Sequence, residues 1–195
     1  KNEISDINDV CMQLRLNPSD RFCLCIVHPS SDEEVSPALF AQMIYEAIES
    51  RGLYQIWILP NNDAGSADII NEVTHLPKKH VRVTRNLARN DYASLLSNCE
   101  FIIGNSSSGI LEAPSLGVVS INIGSRQTGR LRSKTVIDVP FVSINTIDAA
   151  LDSVALERDF GTDKQFGDGH SSAKIVKVLN ELTIDARLTN KYLVE

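Results

Sequence analysis

Six short apolar runs, separated by stretches of helical periodicity or by turns, do most to limit what this chain can fold into. They are FCLCIVH (22–28), LYQIWILP (53–60), HVRVTR (80–85), EFIIG (100–104), VVSINIG (118–124) and TVIDV (135–139). Short runs rich in β-branched and aromatic residues predict strands. Between the first two, PALFAQMIYEAIESRG (37–52) places Leu39, Met43, Ile44, Ala47 and Ile48 on one helical face and stops at Gly52. Ser66 is expected to cap a helix through about residue 75, and Asn90 or Asp91 one through Leu96. SSGILEAPSLG reads as a short helix, and helices near 146–156 and 171–182 close the chain. Residues 1–19 are polar and mixed, ending in an Asn17-Pro18-Ser19-Asp20 turn. Strand and helix alternate with no repeat, which predicts a parallel α/β sheet with helices on both faces.

In such a sheet ligands sit beyond the carboxyl ends of the strands, where the strand order reverses. The residues to inspect are therefore His28, Asn61, Arg85, Asn105 and Gly124. Asn105 opens NSSSGILE, three serines and a glycine at a strand-to-helix junction. A helix starting near Ser107 leaves the amides of residues 106–109 without intrahelical acceptors, and these favour an anion. One serine would serve as an ordinary N-cap, worth about 1 kcal/mol; three in succession fit that role less well. Glu112 is placed either to accept from vicinal hydroxyls of a ligand or to interact favourably with the early helix. GSRQTGR (124–130) brings Arg126 toward the same cleft, with paired donors suited to phosphate. His28, before Pro29, suits donation to phosphate, proton transfer or a purely structural strand end. Together the serine turn, the glutamate and the arginine describe a nucleoside diphosphate site. Neither a P-loop nor a GxGxxG fingerprint is present, which disfavours ATP hydrolysis and dinucleotide redox chemistry.

Charge and cysteine usage narrow the classes further. The 195 residues carry a net charge of −6, which argues against a nucleic-acid partner. Arg126, Arg130, Arg132 and Lys134 nevertheless cluster within nine positions, as suits either a small anionic ligand or a solvated loop. Cys23 and Cys25 share a strand face and cannot readily bridge; buried free thiols in a reducing cytoplasm are expected. The four histidines lack metal-ligand spacing, so no metal is expected. No run is long enough for a membrane span and no signal peptide is visible. Opening on Lys1 rather than Met, the chain is read as a fragment.

IVHP, ILPNNDAGS, IIGNSSSGILE, INIGSRQTGR and FGDG, in this order from about residue 22 to 180, resemble the hydrolysing UDP-N-acetylglucosamine 2-epimerases of sialic-acid and capsule biosynthesis. The serine turn with its glutamate, followed by GxRQxGR, is the specific part. The resemblance implies a GT-B fold, of which residues 1–195 would be one Rossmann-like, UDP-binding, C-terminal domain whose N-terminal partner is absent. It implies that Ser106 and Ser107 bind the diphosphate, Glu112 the ribose hydroxyls and Arg126 the phosphates. His28 would lie near phosphate and sugar with a catalytic role, Asn61 near the nucleotide, and Arg85–Leu87 by the uracil. No cofactor is implied; the partners are UDP-GlcNAc, UDP and further copies of the full-length enzyme, in the cytoplasm.

By the same resemblance UDP is eliminated to leave a glycal, and water adds to release N-acetylmannosamine. The base for the proton at C2 would come from carboxylates of the N-terminal domain, so this chain alone is expected to bind UDP weakly and turn nothing over. Animal members carry feedback arginines in the helix after PNxDAGS; here it reads ADIINEVTHL, without arginine, and such feedback is not implied. A GT-B glycosyltransferase or a non-hydrolysing epimerase would use a similar nucleotide half. A diacetamido, bacillosamine-type sugar would also use it. A flavodoxin-like receiver is poorly matched, because His28 and Arg85 stand where it needs acidic residues.

Overall fold

The computed structural model describes residues 4–31, 35–156 and 161–185. They fall into two compact units, divided between Asp163 and Lys164. The first is built on strands β1 (Phe22–Ile26), β2 (Tyr54–Ile58), β3 (Val81–Thr84), β4 (Ile102–Gly104), β5 (Ser120–Ile123) and β6 (Val136–Val139). All neighbours pair in parallel, in the order β3-β2-β1-β4-β5-β6. This is the doubly wound, Rossmann-like arrangement, and its order reverses between β1 and β4. All six predicted strands are present, each trimmed at its ends.

Side-chain alternation along β1 shows why both faces need cover. Cys23, Cys25 and Val27 enter one buried cluster, and Phe22, Leu24 and Ile26 enter the other. The first cluster is closed by α2 (Pro37–Glu49), α3 (Ser66–His75) and α6 (Ile144–Leu156). Helix α2 starts where Ser36 Oγ accepts the Leu39 amide and Pro37 pre-sets the first turn. Its Ile44 and Ile48 are fully buried, each contributing about 1.5–3 kcal/mol.

The second cluster is closed by α1 (Ile7–Gln13), α4 (Arg89–Asn98) and α5 (Ser108–Leu111), the last running into a 3-10 turn at Ala113–Leu116. Helix α1 was not expected from the polar N-terminal stretch. Asp6 caps it by accepting the Asn8 amide at 2.8 Å, and Val10 and Cys11 anchor it. Two expected caps fall elsewhere. Helix α3 begins after Gly65, at φ +91°, so Ser66 is its first residue; α4 begins after Ala88 with no side-chain cap.

All four cysteines are free thiols; Cys23 and Cys25 share a face with their sulfurs 3.9 Å apart. The second unit centres on α7 (Ser171–Glu181). Before it, the Asp168 carboxylate accepts from Lys174 Nζ at 2.9 Å and the His170 amide at 3.0 Å, which lowers its pKa to about 2. Among the described residues no helix is long and apolar enough to cross a membrane, and no cluster of metal-ligating side chains occurs.

Candidate functional site

At the β1/β4 reversal the two strand ends are clasped together. Asn105 follows β4 directly and is fully buried. Its Oδ1 accepts the His28 amide at 2.7 Å, and its Nδ2 donates to the His28 carbonyl at 2.8 Å. The Asn105 amide donates to the Ile26 carbonyl at 3.2 Å. Close approach is possible because Gly104, at φ +133°, has no side chain; a Cβ there would lie 2.0 Å from the Ile26 oxygen. From the loop after β5, Arg126 Nη1 and Gln127 Nε2 both donate to the Asn105 carbonyl, at 3.1 and 2.9 Å. Three crossovers thus meet at one residue.

The three serines divide their work. Ser106 Oγ accepts the Ser108 amide at 3.3 Å, and the Ser106 carbonyl accepts the Gly109 amide at 3.2 Å. Ser108 is buried and its hydroxyl pairs with Tyr92 of α4. Burial pushes the Tyr92 phenol well above its ordinary pKa, and the charge of Glu112 adds to the effect. Ser107 has helical backbone angles and makes no side-chain cap. Two of the four amides expected to be free, those of Ser108 and Gly109, are therefore satisfied within the turn. Those of Ser106 and Ser107 have no acceptor among the described residues, and both residues are only half-buried. A helix of four residues has little dipole, so the donors on offer to an anion here are two amides, the Ser107 hydroxyl and Arg126.

The arginines differ in how their charge is matched. Arg21 is paired with Glu100, Arg51 with Asp148 and Asp152, and Arg132 with Asp138. Arg126 has no carboxylate partner among the described residues and binds only a carbonyl. Its field reaches His28, whose pKa is lowered first by burial and then by the Arg126 charge, while a hydrogen bond with Asn61 and the charge of Asp63 partly offset both. His28 is thereby held neutral near pH 7, with Nδ1 buried and unpartnered. The turn at Gly65 packs against Pro29, next in sequence to His28; a Cβ there would meet the proline ring at 3.0 Å.

His28, Asn61, Ser106, Ser107 and Arg126 therefore gather at the reversal. Glu112 and Arg85 stand apart. Glu112 is exposed at the end of α5, one turn beyond Ser108 on the flank toward Tyr92. Arg85 is exposed beyond β3, three strand positions from β4, or about 14 Å. The sequence marks Asn105 only as a strand end and does not single out Gln127, Tyr92 or Asp63. An asparagine between a strand and a serine turn was the one available signal, since its side chain readily mimics a peptide group. A cleft of about 550 Å³ opens at the opposite, amino ends of the strands, between Arg21, Arg51, Cys99, Phe101 and Leu151. Its arginines are already neutralised by carboxylates, which leaves it poorly suited to an anion.

A family described as UDP-N-acetylglucosamine 2-epimerase matches residues 2–180. A hydrolysing UDP-N,N'-diacetylbacillosamine 2-epimerase of Legionella pneumophila is 32% identical over 177 residues, covering 90% of this chain and 46% of that protein. A UDP-N-acetylglucosamine 2-epimerase of Neisseria meningitidis is 30% identical over 166 residues, covering 84% of this chain and 44% of its own length. The chain thus spans about half the length of these curated relatives. The crystal structure of the Neisseria meningitidis UDP-GlcNAc 2-epimerase bound to UDP-GlcNAc superposes with a TM-score of 0.72 at 14% identity, covering 90% of this chain and 49% of that one. The fold is accordingly a Rossmann-like half of the GT-B type.

Proposed function

This chain belongs to the UDP-N-acetylglucosamine 2-epimerase family, and from that premise we propose that it is the UDP-binding domain of a hydrolysing member, taking UDP-GlcNAc and water to N-acetylmannosamine and UDP. One observation carries the reading: the two unpartnered amides of Ser106 and Ser107 follow Asn105 at the end of β4, and an arginine without a carboxylate partner is held by the Asn105 carbonyl, beside a histidine whose pKa is lowered. Breaking the C1–O bond leaves negative charge on the departing diphosphate. The Ser106 and Ser107 amides and Arg126 are the groups to stabilise it, in a geometry already fixed before the bond breaks. Neutral His28, steadied by Asn61, would donate a hydrogen bond near the phosphate or sugar. Glu112 and Arg85 are assigned to ribose and base, further from the reacting bond. The carboxylate that removes the C2 proton belongs to the other half of the enzyme, so this chain alone binds UDP without turnover. The four free thiols fit a reducing, cytoplasmic setting.

Titrating UDP into wild type and Arg126→Ala by calorimetry tests this. A charge-assisted hydrogen bond of about 1.5–3 kcal/mol corresponds to a loss of about ten- to a hundredfold in affinity. Equal affinity of the two proteins would remove Arg126 from the site and the reading with it.

A further inference from the structure

Resting on the reading above, we infer that Asn105 is the positioning residue of the nucleotide site: it sets His28, the serine turn and Arg126 in one frame before ligand arrives. Being fully buried, Asn105 touches no ligand and acts only through its neighbours. Its hydrogen-bonding capacity is directed at three segments. The side-chain amide reproduces a peptide rung, accepting from the His28 amide and donating to the His28 carbonyl, and so extends the β1–β4 pairing one residue past the ladder. That fixes the backbone from which the imidazole projects. The carbonyl takes Arg126 and Gln127 together, so the guanidinium is held by the residue whose successor carries the first unpartnered amide.

A side chain needed only for folding would not require this convergence. Two strand ends beside a glycine at φ +133° are already joined by the backbone bond from the Asn105 amide to Ile26. The side-chain pair adds register at the place where parallel strands otherwise diverge toward their loops. Organising polar groups before binding lowers the ordering cost paid on association, and it is that part of UDP affinity that Asn105 supplies.

A double-mutant cycle on UDP binding separates this role from general stability, with Trp57 fluorescence confirming that each sample is folded. Arg126→Ala is measured first: if it leaves affinity unchanged, the site reading itself has failed. If it weakens binding, Asn105→Ala, which keeps the carbonyl that holds Arg126 but frees His28, is expected to weaken binding about tenfold, while the double variant Asn105→Ala/His28→Ala lies no more than about threefold below His28→Ala. Asn105→Ala within about twofold of wild type, or a double variant weaker than that threefold margin, overturns the positioning role and leaves the site reading intact. Should Asn105→Ala not fold, Asn105→Ser carries the same cycle with the same outcomes. In the free wild-type protein the His28 amide is expected to exchange at least about tenfold more slowly than an unprotected amide. Exchange at the unprotected rate would show that the frame does not exist before UDP and would overturn the inference.

Discussion

Replacing Gly104 by alanine strikes the junction of β1 and β4 without removing any polar group. The new Cβ would lie 2.0 Å from the Ile26 oxygen and 2.8 Å from its carbonyl carbon, both backbone atoms that no rotamer change can move aside. At φ +133° a side chain is strained whatever the space, at about 1–3 kcal/mol. Relief requires the strands to separate by about 1 Å, which stretches the Asn105-to-Ile26 bond and the two Asn105–His28 bonds beyond useful length. At about 1 kcal/mol each, their loss with the backbone strain makes a destabilisation of about 4–6 kcal/mol. That approaches the whole stability of an ordinary domain. Urea unfolding followed through Trp57, the only tryptophan and fully buried, reads it directly. A loss below about 1 kcal/mol would mean that the strand ends part freely, and the pre-set frame around Asn105 would have to be abandoned.

Two further outcomes are expected. His28 should titrate below the ordinary 6.5, since burial and then Arg126 disfavour its charged form. Its contribution to stability is full above pH 6.5 and is lost as pH falls through the lower folded value, because the unfolded chain takes up the proton first. Imidazole NMR checks this: the midpoint rises in Arg126→Ala, and a wild-type midpoint at or above 6.5 contradicts the local electrostatics. Arg51 binds Asp148 and Asp152 at 2.7 Å and the Ala47 carbonyl at 2.6 Å, with its side chain 25% exposed. Arg51→Ala should lower stability by about 1–2 kcal/mol in urea while leaving UDP affinity unchanged, being at the opposite end of the sheet.

What the sequence displayed and what it hid divide along one physical line. Strands β1 to β6 were legible because a buried strand declares itself through local composition. Helix α1 was not, since seven residues with only Val10 and Cys11 buried make no periodic pattern. Caps failed for a related reason: a short polar side chain serves whichever partner the fold brings. Asp91, expected as a cap, instead accepts the Ser5 hydroxyl at 2.6 Å, 86 positions away. Ser66 is buried just inside α3, behind a glycine whose left-handed turn starts the helix. At the site, topology alone sends strand-end residues toward a common region, so His28, Ser106, Ser107 and Arg126 could be named in advance. The Asn105–His28 clasp joins residues 77 apart, and the Ser108–Tyr92 pair spans two helices. No local pattern encodes either.

The cations of this chain show why the site is where it is. Its net charge of −6 works against an anionic ligand everywhere on average, so a site must be made by local exception. At the amino ends of the strands, Arg21 and Arg51 are matched by acids, and the cleft there is close to neutral. In the loop after β5, Arg132 is likewise bound to Asp138. Arg126 alone of these four is held by a carbonyl and by no carboxylate, which orients the guanidinium without cancelling its charge. A carboxylate in place of that carbonyl would hold the side chain as firmly and leave nothing for a phosphate. On the proposed reading, orientation by a neutral acceptor would leave the Arg126 charge available to a phosphate at this strand end, and Asn105 supplies that acceptor.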